Sequence, residues 1–287
     1  MSYYAVLGLE REPFSTSPDP AFFFLSKRHK AALYRLQIAI TLKRGLSVIL
    51  GDVGTGKTTL SRKLCQVIRG EKDVCFYMVL NPYFSSQKQF LMKLVSLFHI
   101  EMAAKRPTGP DCIEAVERFL YRAGVEEEKN VVLLIDEAQL LPDHVLEVLR
   151  ILLNYETNEF KILQLILVGQ MELLPRLRRM SNLWDRIALK FLLRPLDVEE
   201  TRELIEYRLG QAGYNGSGAL FTDGAVESIH RYTRGYPRRL AMLCHQLLEN
   251  LVMQNQNSVD EALVRQIAES EREDLALAAG GSPDVFG

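Results

Sequence analysis

A glycine-rich run between an apolar segment and an amphipathic one constrains the fold of this chain more than any other sequence feature. The run Gly51-Asp-Val-Gly-Thr-Gly-Lys57-Thr58 satisfies the pattern G-x-x-x-x-G-K-[ST]. It follows the apolar segment Leu46–Leu50 and opens the amphipathic stretch Lys57–Ile68, which predicts a strand, a tight loop and a helix in succession. Glycines here let successive backbone N–H groups face inward at a helix N-terminus, where they attract an anion such as phosphate.

This loop predicts how a nucleoside triphosphate and its magnesium ion would be held. Lys57 can reach the β- and γ-phosphates, and the Thr58 hydroxyl can ligate Mg²⁺. A glycine-rich turn with an unrelated surface lysine is the alternative, and the strand and helix on either side argue against it. We therefore predict ATP and Mg²⁺ as cofactors, with the nucleotide contacted by Gly51, Asp52, Val53, Gly54, Thr55, Gly56, Lys57, Thr58 and Thr59.

Two carboxylates follow a second buried strand, in Val131-Val-Leu-Leu-Ile-Asp136-Glu137. Asp136 is predicted to hold Mg²⁺ through water, and Glu137 is placed to polarise the attacking water. Taken alone, the pattern fits a strand and an acidic turn equally well, but the phosphate loop upstream favours catalysis. The sequence thus predicts an ATP-hydrolysing enzyme with Lys57 and Glu137 as catalytic residues and Thr58 and Asp136 as metal ligands.

Apolar patterning predicts a parallel sheet sandwiched by helices, followed by a small all-helical domain. Short continuous apolar runs, typical of strands covered on both faces, occur at Leu46–Leu50, Val74–Leu80, Val131–Ile135, Ile162–Val168 and Ile187–Leu193. Helical patterns lie between them at Lys57–Ile68, Ser86–Phe98, Asp111–Ala123 and Pro142–Asn154. After Pro195 the patterns are helical alone, at Val198–Ala212, Asp223–Thr233, Pro237–Met253 and Val259–Arg272.

The chain is expected to divide into four segments. Asp197-x-x-Glu200 and Ser258-x-x-Glu261 have the spacing of capping boxes that open helices. Aromatic residues interleaved with prolines near the N-terminus predict an extended arm that packs onto the sheet domain or a neighbouring subunit. The expected segments are an arm and first helix packing on the core over 1–40, an α/β core over 41–195, a helical lid over 196–272 and a flexible tail over 273–287.

Composition and charge narrow the classes of protein. The 287 residues include 35 Lys and Arg against 36 Asp and Glu, a net charge of −1. This balance excludes global disorder and gives no overall field that would favour nucleic acid. The N-terminus lacks the pattern of a secretory signal, and no apolar run approaches the roughly 18 residues of a membrane-spanning helix. We expect a cytoplasmic protein without a transmembrane segment.

The phosphate loop, the acidic pair, a polar residue after the fourth strand and an arginine-bearing helical lid together resemble an AAA+ ATPase. Asp136-Glu-Ala-Gln139 and Leu167-Val-Gly-Gln170 are similar to the Walker B and sensor-1 segments of one group within that superfamily, the ExeA or general secretion pathway protein A ATPases. The N-terminal signature of that group is matched by Gly8–Phe14, Pro18–Pro20, Phe24–Ser26, His29 and Ala31–Leu33. The resemblance runs from about Tyr4 to Arg272.

The resemblance implies three further site residues. Gln170 would occupy the sensor-1 position and contact the γ-phosphate or the attacking water, although a polar strand end is the plainer alternative. Arg186 matches the arginine finger that reaches a neighbouring subunit's nucleotide, a role for which Arg176, Arg178 and Arg179 compete. Arg238, in Gly235-Tyr-Pro-Arg238, matches the sensor-2 arginine that leans over the phosphates.

The resemblance also implies a homo-oligomer, either a hexamer-like ring or a helical assembly. Full-length members of the group continue beyond the lid into a membrane-spanning helix and a periplasmic peptidoglycan-binding module. This sequence ends after the lid, so we expect a cytoplasmic relative that a partner recruits to the inner face of the membrane.

Three functions fit the same nucleotide site. The first is an oligomeric motor or switch ATPase with a protein client in secretion or pilus assembly. The second is a DNA-associated regulator of the transposition-helper type, with phosphate contacts from Arg176, Arg178, Arg179, Arg186, Lys190 and Arg194. The third is a nucleotide-gated scaffold with little turnover, which Glu137 argues against because such a scaffold needs no base.

Overall fold

The computed structural model describes residues 2–15, 20–102, 104–216 and 218–278, without the side chains of residues 20 and 271–278. Part of the expected N-terminal signature, at Pro18 and Asp19, lies outside the described residues. Contacts divide the chain into two compact units. We call Arg28–Val53 with Lys57–Arg194 the sheet unit; the helical unit comprises the described residues up to Lys27, Gly54–Gly56, and those from Pro195 onward.

The sheet unit is built on five parallel strands, as the apolar runs predict. They are β1 (Leu46–Gly51), β2 (Val74–Val79), β3 (Asn130–Ile135), β4 (Leu163–Gly169) and β5 (Ile187–Leu193). Their order is β2-β3-β4-β1-β5, so β1, β3 and β4 are internal strands. The register pairs Leu50 with Gly169 and Ile135 with Leu167, which aligns the carboxyl ends of the internal strands.

Side chains of the internal strands alternate between two hydrophobic cores, one on each face. In β3, Val131, Leu133 and Ile135 join the core beneath α4, α5 and α6 (Gln87–Leu97, Gly109–Tyr121 and Asp143–Leu152). Val132 and Leu134 join the core beneath α2 and α3 (Lys27–Thr41 and Lys57–Ile68). Helices therefore cover both faces, and the predicted sandwich is confirmed.

The two edge strands correct one expectation. The apolar runs predicted that every strand is covered on both faces, but β2 is mostly half-buried and β5 exposes Ala188, Lys190 and Leu192. An apolar run reports a strand's residue preferences and not its position in the sheet. Edge strands have one neighbour, so their outer side chains meet less protein.

The remaining described helices complete both units. They are α1 (Tyr3–Val6), α7 (Leu173–Arg179), α8 (Ser181–Trp184), α9 (Val198–Gln211), α10 (Asp223–Thr233), α11 (Pro237–Met253) and α12 (Glu261–Ala278). The predicted capping box of Asp197 and Glu200 is present at α9. A capping box that was not predicted, formed by Thr108 and Asp111, opens α5. That helix begins at Gly109, before the predicted start at Asp111.

The last helix differs from its prediction at both ends. Ser258 does not open it; the Leu263 amide donates instead to Asp260 Oδ1 at 2.9 Å, and α12 begins at Glu261. Val259 is held outside the helix by a parallel bridge to Phe221. The helix continues to Ala278, past the expected end at Arg272. The rest of the expected flexible tail, residues 279–287, lies outside the described residues.

The N-terminal arm belongs to the core of the helical unit. Leu9, Phe14 and Phe22 are buried in one cluster with apolar residues of α9, α10, α11 and α12. Phe14 meets Phe221 edge-on, with ring centroids 6.0 Å apart. The sequence predicted that the arm packs onto the sheet domain or a neighbouring subunit. Its aromatic side chains lie in the helical core, and α2 packs on the sheet.

The turn before α11 depends on a close backbone approach. Gly235 has a φ of +71°, and a Cβ built on it would lie 2.0 Å from the Leu196 carbonyl oxygen. The Leu196 amide donates to the Gly235 carbonyl at 2.9 Å, so the two backbones are in direct contact. This contact fixes where the chain enters α11, and with it the position of Arg238.

We expect Gly235→Ala to destabilise the helical unit by about 3 kcal/mol or more, because its methyl group would overlap the Leu196 carbonyl. The matched control is Gly210→Ala in α9, where a Cβ would meet nothing within 4 Å. That change should add roughly 0.5–1 kcal/mol of stability through helix propensity. Thermal unfolding followed by circular dichroism checks both, and equal midpoints for the two variants would contradict the close approach.

Candidate active site

The candidate site lies where three internal strands end. The phosphate loop follows β1, Asp136 follows β3, and Gln170 follows β4, which lies between the other two strands. Because the strands are parallel, their carboxyl ends meet at one edge of the sheet. The fold therefore brings together sequence-predicted residues that are far apart in the chain.

The loop has the backbone geometry of a phosphate cradle. Gly54 and Gly56 have φ values of +83° and +89°, a region in which side chains are strained. Lys57 Nζ donates to the carbonyl oxygens of Gly51 and Asp52, both at 2.8 Å, and so closes the loop. Burial lowers the pKa of Lys57 against the opposing pull of nearby carboxylates, chiefly that of Glu137.

Asp136 and Thr58 are the predicted metal ligands. The Asp136 side chain is buried and accepts from the Glu137 amide at 2.9 Å. Burial is the main cause of the raised pKa of the Asp136 carboxyl, and the nearby Thr58 hydroxyl opposes that rise. A carboxylate and a hydroxyl are hard oxygen donors of the type that Mg²⁺ prefers, so these residues fit the predicted ion.

Glu137 has a constrained backbone and a defined side-chain partner. Its φ of +52° places it in the left-handed region, which is uncommon for a residue with a side chain. Gln139 Nε2 donates to Glu137 Oε2 at 2.5 Å. Gln139 is part of the Asp136–Gln139 motif, but the motif predicts no role for it, because a hydrogen bond across the turn has no sequence signature.

The backbone of Gln170 contacts the Glu137 and Gln139 pair at Gln139. Its amide donates to Gln139 Oε1 at 3.0 Å, so residues after β3 and β4 are linked by one carboxamide. The predicted role of the Gln170 side chain, contact with phosphate or water, stays a prediction.

The candidate arginine finger lies near the start of β5. Arg186 Nε donates to the Asn182 carbonyl of α8 at 3.1 Å. Lys161 is close enough that Arg186 contributes, after burial, to lowering the Lys161 pKa.

Arg176 does not remain available for the finger or for DNA. Its guanidinium donates to the Gln139 carbonyl at 2.8 Å, to the Leu141 carbonyl and to Asp143 Oδ1. The arginine is therefore committed to the turn that follows β3, which removes it from the predicted basic surface.

Two other residues of the predicted basic stretch lie over one aromatic ring. Arg178 and Lys190 both lie over Trp184, at 5.5 and 4.0 Å from the ring centre. Cation–π contacts of this kind hold exposed cations in place and add little stability each.

Arg238 lies at the tip of the phosphate loop. A Cβ built on Gly54 would be 3.2 Å from Arg238 Cβ, and both residues belong to the helical unit. Arg239 instead lies over the Tyr236 ring, 5.1 Å from its centre. The structure thus separates the two neighbouring arginines as their spacing around a helix predicts.

Comparison with known proteins agrees with this fold. An AAA domain family model matches residues 40–177. The chain also aligns over 93% of its length with an Aeropyrum pernix ORC2 protein in ADPNP-ADP complexes (TM-score 0.61, 17% identity, 74% of that chain). It aligns over 91% with the Thermotoga maritima RuvB Holliday junction branch migration motor (TM-score 0.56, 18% identity, 84% of that chain). The chain has the fold of the AAA+ P-loop proteins.

Within that family the sequence similarity is more specific. The chain is 34% identical over 248 residues, 86% of its length, to General secretion pathway protein A of Aeromonas hydrophila, which confirms the expected resemblance. It is 26% identical over 164 residues, 55% of its length, to an uncharacterised HTH-type transcriptional regulator, MJ0774, of Methanocaldococcus jannaschii. The chain spans 44% and 40% of these two relatives, less than half of each. Across the described part of the chain, none of the helices combines the length and apolarity that crossing a membrane requires.

We expect Asp136→Asn to raise the thermal unfolding midpoint at neutral pH, without nucleotide or Mg²⁺, by an amount equivalent to about 1 kcal/mol. The substitution removes a buried charge and keeps an oxygen that can accept from the Glu137 amide. Because the carboxyl's pKa is raised above 3.8 on folding, wild-type stability rises as pH falls through that raised pKa, and the variant's advantage should shrink.

Asp111→Asn provides the control of opposite sign. Hydrogen bonds from Thr108 lower the pKa of the exposed Asp111 carboxyl, so its charged form supports the fold at neutral pH. This variant should melt below wild type at about pH 7.5 and converge on it in acid. A neutral-pH midpoint for Asp136→Asn below that of wild type would contradict the cost assigned to its buried charge.

Proposed function

We propose that this protein is a Mg²⁺-dependent ATPase that works as an oligomeric motor or switch. One observation carries the proposal: the loop that Lys57 closes, with Thr58 directly after it, lies at the same edge of the sheet as the buried Asp136 carboxyl and Glu137. This combination supplies phosphate binding, metal ligation and a base at one edge of the sheet. The AAA domain match supports nucleotide hydrolysis as the general chemistry.

Each residue of the site would have a different role in ATP hydrolysis. Backbone N–H groups of the loop bind phosphate oxygens, and the Lys57 ammonium offsets their charge. Thr58 and Asp136 would hold Mg²⁺, which would neutralise part of the phosphate charge when bound. The Glu137 carboxylate orients the attacking water and accepts its proton. Gln170 is the proposed contact to the γ-phosphate or to this water.

Two arginines would make hydrolysis responsive to assembly and to the lid. We assign Arg238 to phosphate bound at the loop tip, because it lies beside Gly54. We assign Arg186 to the nucleotide of a neighbouring subunit in a ring or helical homo-oligomer. An arginine supplied in trans stabilises transition-state charge and makes turnover depend on subunit contact.

The client we propose is a protein of a secretion or pilus assembly system. The support is the similarity to General secretion pathway protein A, which this chain matches over 44% of that protein's length. On this proposal the protein acts in the cytoplasm and a partner recruits it to the inner face of the membrane.

A DNA-associated regulator of the transposition-helper type is the alternative. The commitment of Arg176 to the turn after β3 weakens it, because one of its proposed phosphate contacts is already used. The other alternative, a nucleotide-gated scaffold with little turnover, gives Glu137 no role.

Turnover per subunit should rise with protein concentration and be unaffected by duplex DNA at moderate salt. Lys57→Ala should lose nucleotide binding, whereas Glu137→Gln should bind ATP and lose turnover by about 100-fold or more. Phosphate release and equilibrium binding of a fluorescent ATP analogue measure these effects. Equal turnover by wild type and Glu137→Gln would refute Glu137 as the base, and no turnover in either would refute the proposed hydrolysis. Strong salt-sensitive stimulation by DNA would favour the alternative function.

The trans role of Arg186 predicts complementation between two inactive variants. Arg186→Ala should bind ATP but not hydrolyse it, while Lys57→Ala cannot bind yet still presents Arg186 to a neighbour. A mixture of the two should therefore recover part of the wild-type turnover. Arg179→Ala, at an exposed arginine of the same region, is the control and should remain active alone. Failure of the mixture to recover, with intact assembly by light scattering, would contradict the trans assignment.

A further inference from the structure

The side-chain amide of Gln139 connects the carboxylate of Glu137, the proposed base, to the main chain after β4. Gln139 Nε2 donates to Glu137 Oε2 at 2.5 Å, and Gln139 Oε1 accepts from the Gln170 amide at 3.0 Å. Reversing this amide would set two donors against each other and two acceptors against each other. Both hydrogen bonds therefore select the same orientation of the carboxamide.

Close packing keeps the carboxamide against the end of β4. A Cβ built on Gly169 would lie 3.1 Å from Gln139 Oε1 and 3.3 Å from the Gln139 amide nitrogen. A side chain at position 169 would therefore press on Gln139. The strand end leaves room for the bridge because it carries a glycine there.

The backbone of Gln139 is held from its other side. Arg176 donates from one nitrogen to the Gln139 carbonyl at 2.8 Å and from others to Asp143 Oδ1, at 3.1 Å from Nε. Its side chain is only 20% exposed, which limits competition from water for these bonds. Gln139 is thus fixed at both its main chain and its amide.

We infer that Gln139 is a positioning residue that sets the place of the Glu137 carboxylate relative to the main chain after β4. The inference rests on the proposed function, in which Glu137 orients the attacking water. A displacement of residue 170 would be transmitted through one amide to the base. The bridge explains how Glu137 can be held although its backbone lies in the left-handed region outside any regular element.

Two near-isosteric substitutions separate the halves of the bridge. Gln139→Glu keeps an acceptor for the Gln170 amide and loses the donor to Glu137, whereas Gln139→Met loses both without adding charge. We expect both to lower kcat about tenfold or more, with the dissociation constant for ATP changed less than about threefold. Gln139→Glu should melt within a few degrees of wild type, since it keeps the bond to Gln170. Gln87→Met, which removes an exposed amide that donates to the His144 carbonyl, is the control and should leave kcat unchanged.

A double-mutant cycle tests whether Gln139 acts through Glu137. In the Glu137→Gln background, Gln139→Met should cause no further loss of turnover, because the carboxylate that it positions is gone. An equal further loss in that background, or wild-type kcat for Gln139→Glu and Gln139→Met, would overturn the inference while leaving the proposed function intact. Wild-type turnover in Glu137→Gln itself would instead remove Glu137 as the base, and the inference with it. Absence of ATP turnover in the wild-type protein would overturn the proposed function.

Discussion

The parallel order of β3, β4 and β1 is the constraint on which the candidate site depends. Helical crossovers return each strand in the same direction, so the residues after each one emerge at the same edge. Because β4 lies between β1 and β3, the phosphate loop and the acidic pair follow strands that are two spacings, or roughly 10 Å, apart. Gln170 lies in that interval, where its amide can reach the turn carrying Glu137.

Folding buries charged groups at this edge of the sheet, whereas water solvates them in the unfolded chain. Burial shifts the pKa of Lys57 down and that of Asp136 up, so each group is moved toward its neutral form. Such shifts are costs to the folded chain, and they are typical of sites whose ligands restore the lost interactions. The leucines, valines and isoleucines of β3 and β4 offset that cost by filling a core on each face of the sheet.

The sequence predicted the sheet and most of the helices because these have local signatures. The phosphate loop and the acidic pair predicted for the site also have local signatures, and the strands place them at one edge of the sheet. The pattern from Gly51 to Thr58 specifies a loop whose geometry is set by glycines and a helix start, so its structure is encoded nearby. The positions of the arm and of Arg176 were harder to predict, since aromatic and arginine side chains have many compatible partners. Phe14 fills the helical core, and Arg176 donates to backbone carbonyls that no sequence pattern marks as acceptors. Edge exposure of Lys190 depends on strand order, which short apolar runs do not specify.

The burial of Leu9, Phe14 and Phe22 in the core of the helical unit determines when that unit can fold. These three residues are synthesised long before α9 to α12. The core of the helical unit therefore cannot form until the whole sheet unit has been synthesised. The sheet unit contains all five strands and can complete its two cores first. A fragment starting at residue 195 would expose the apolar surface that these three side chains cover, and would need residues 2–27 supplied as a separate peptide or a fused segment.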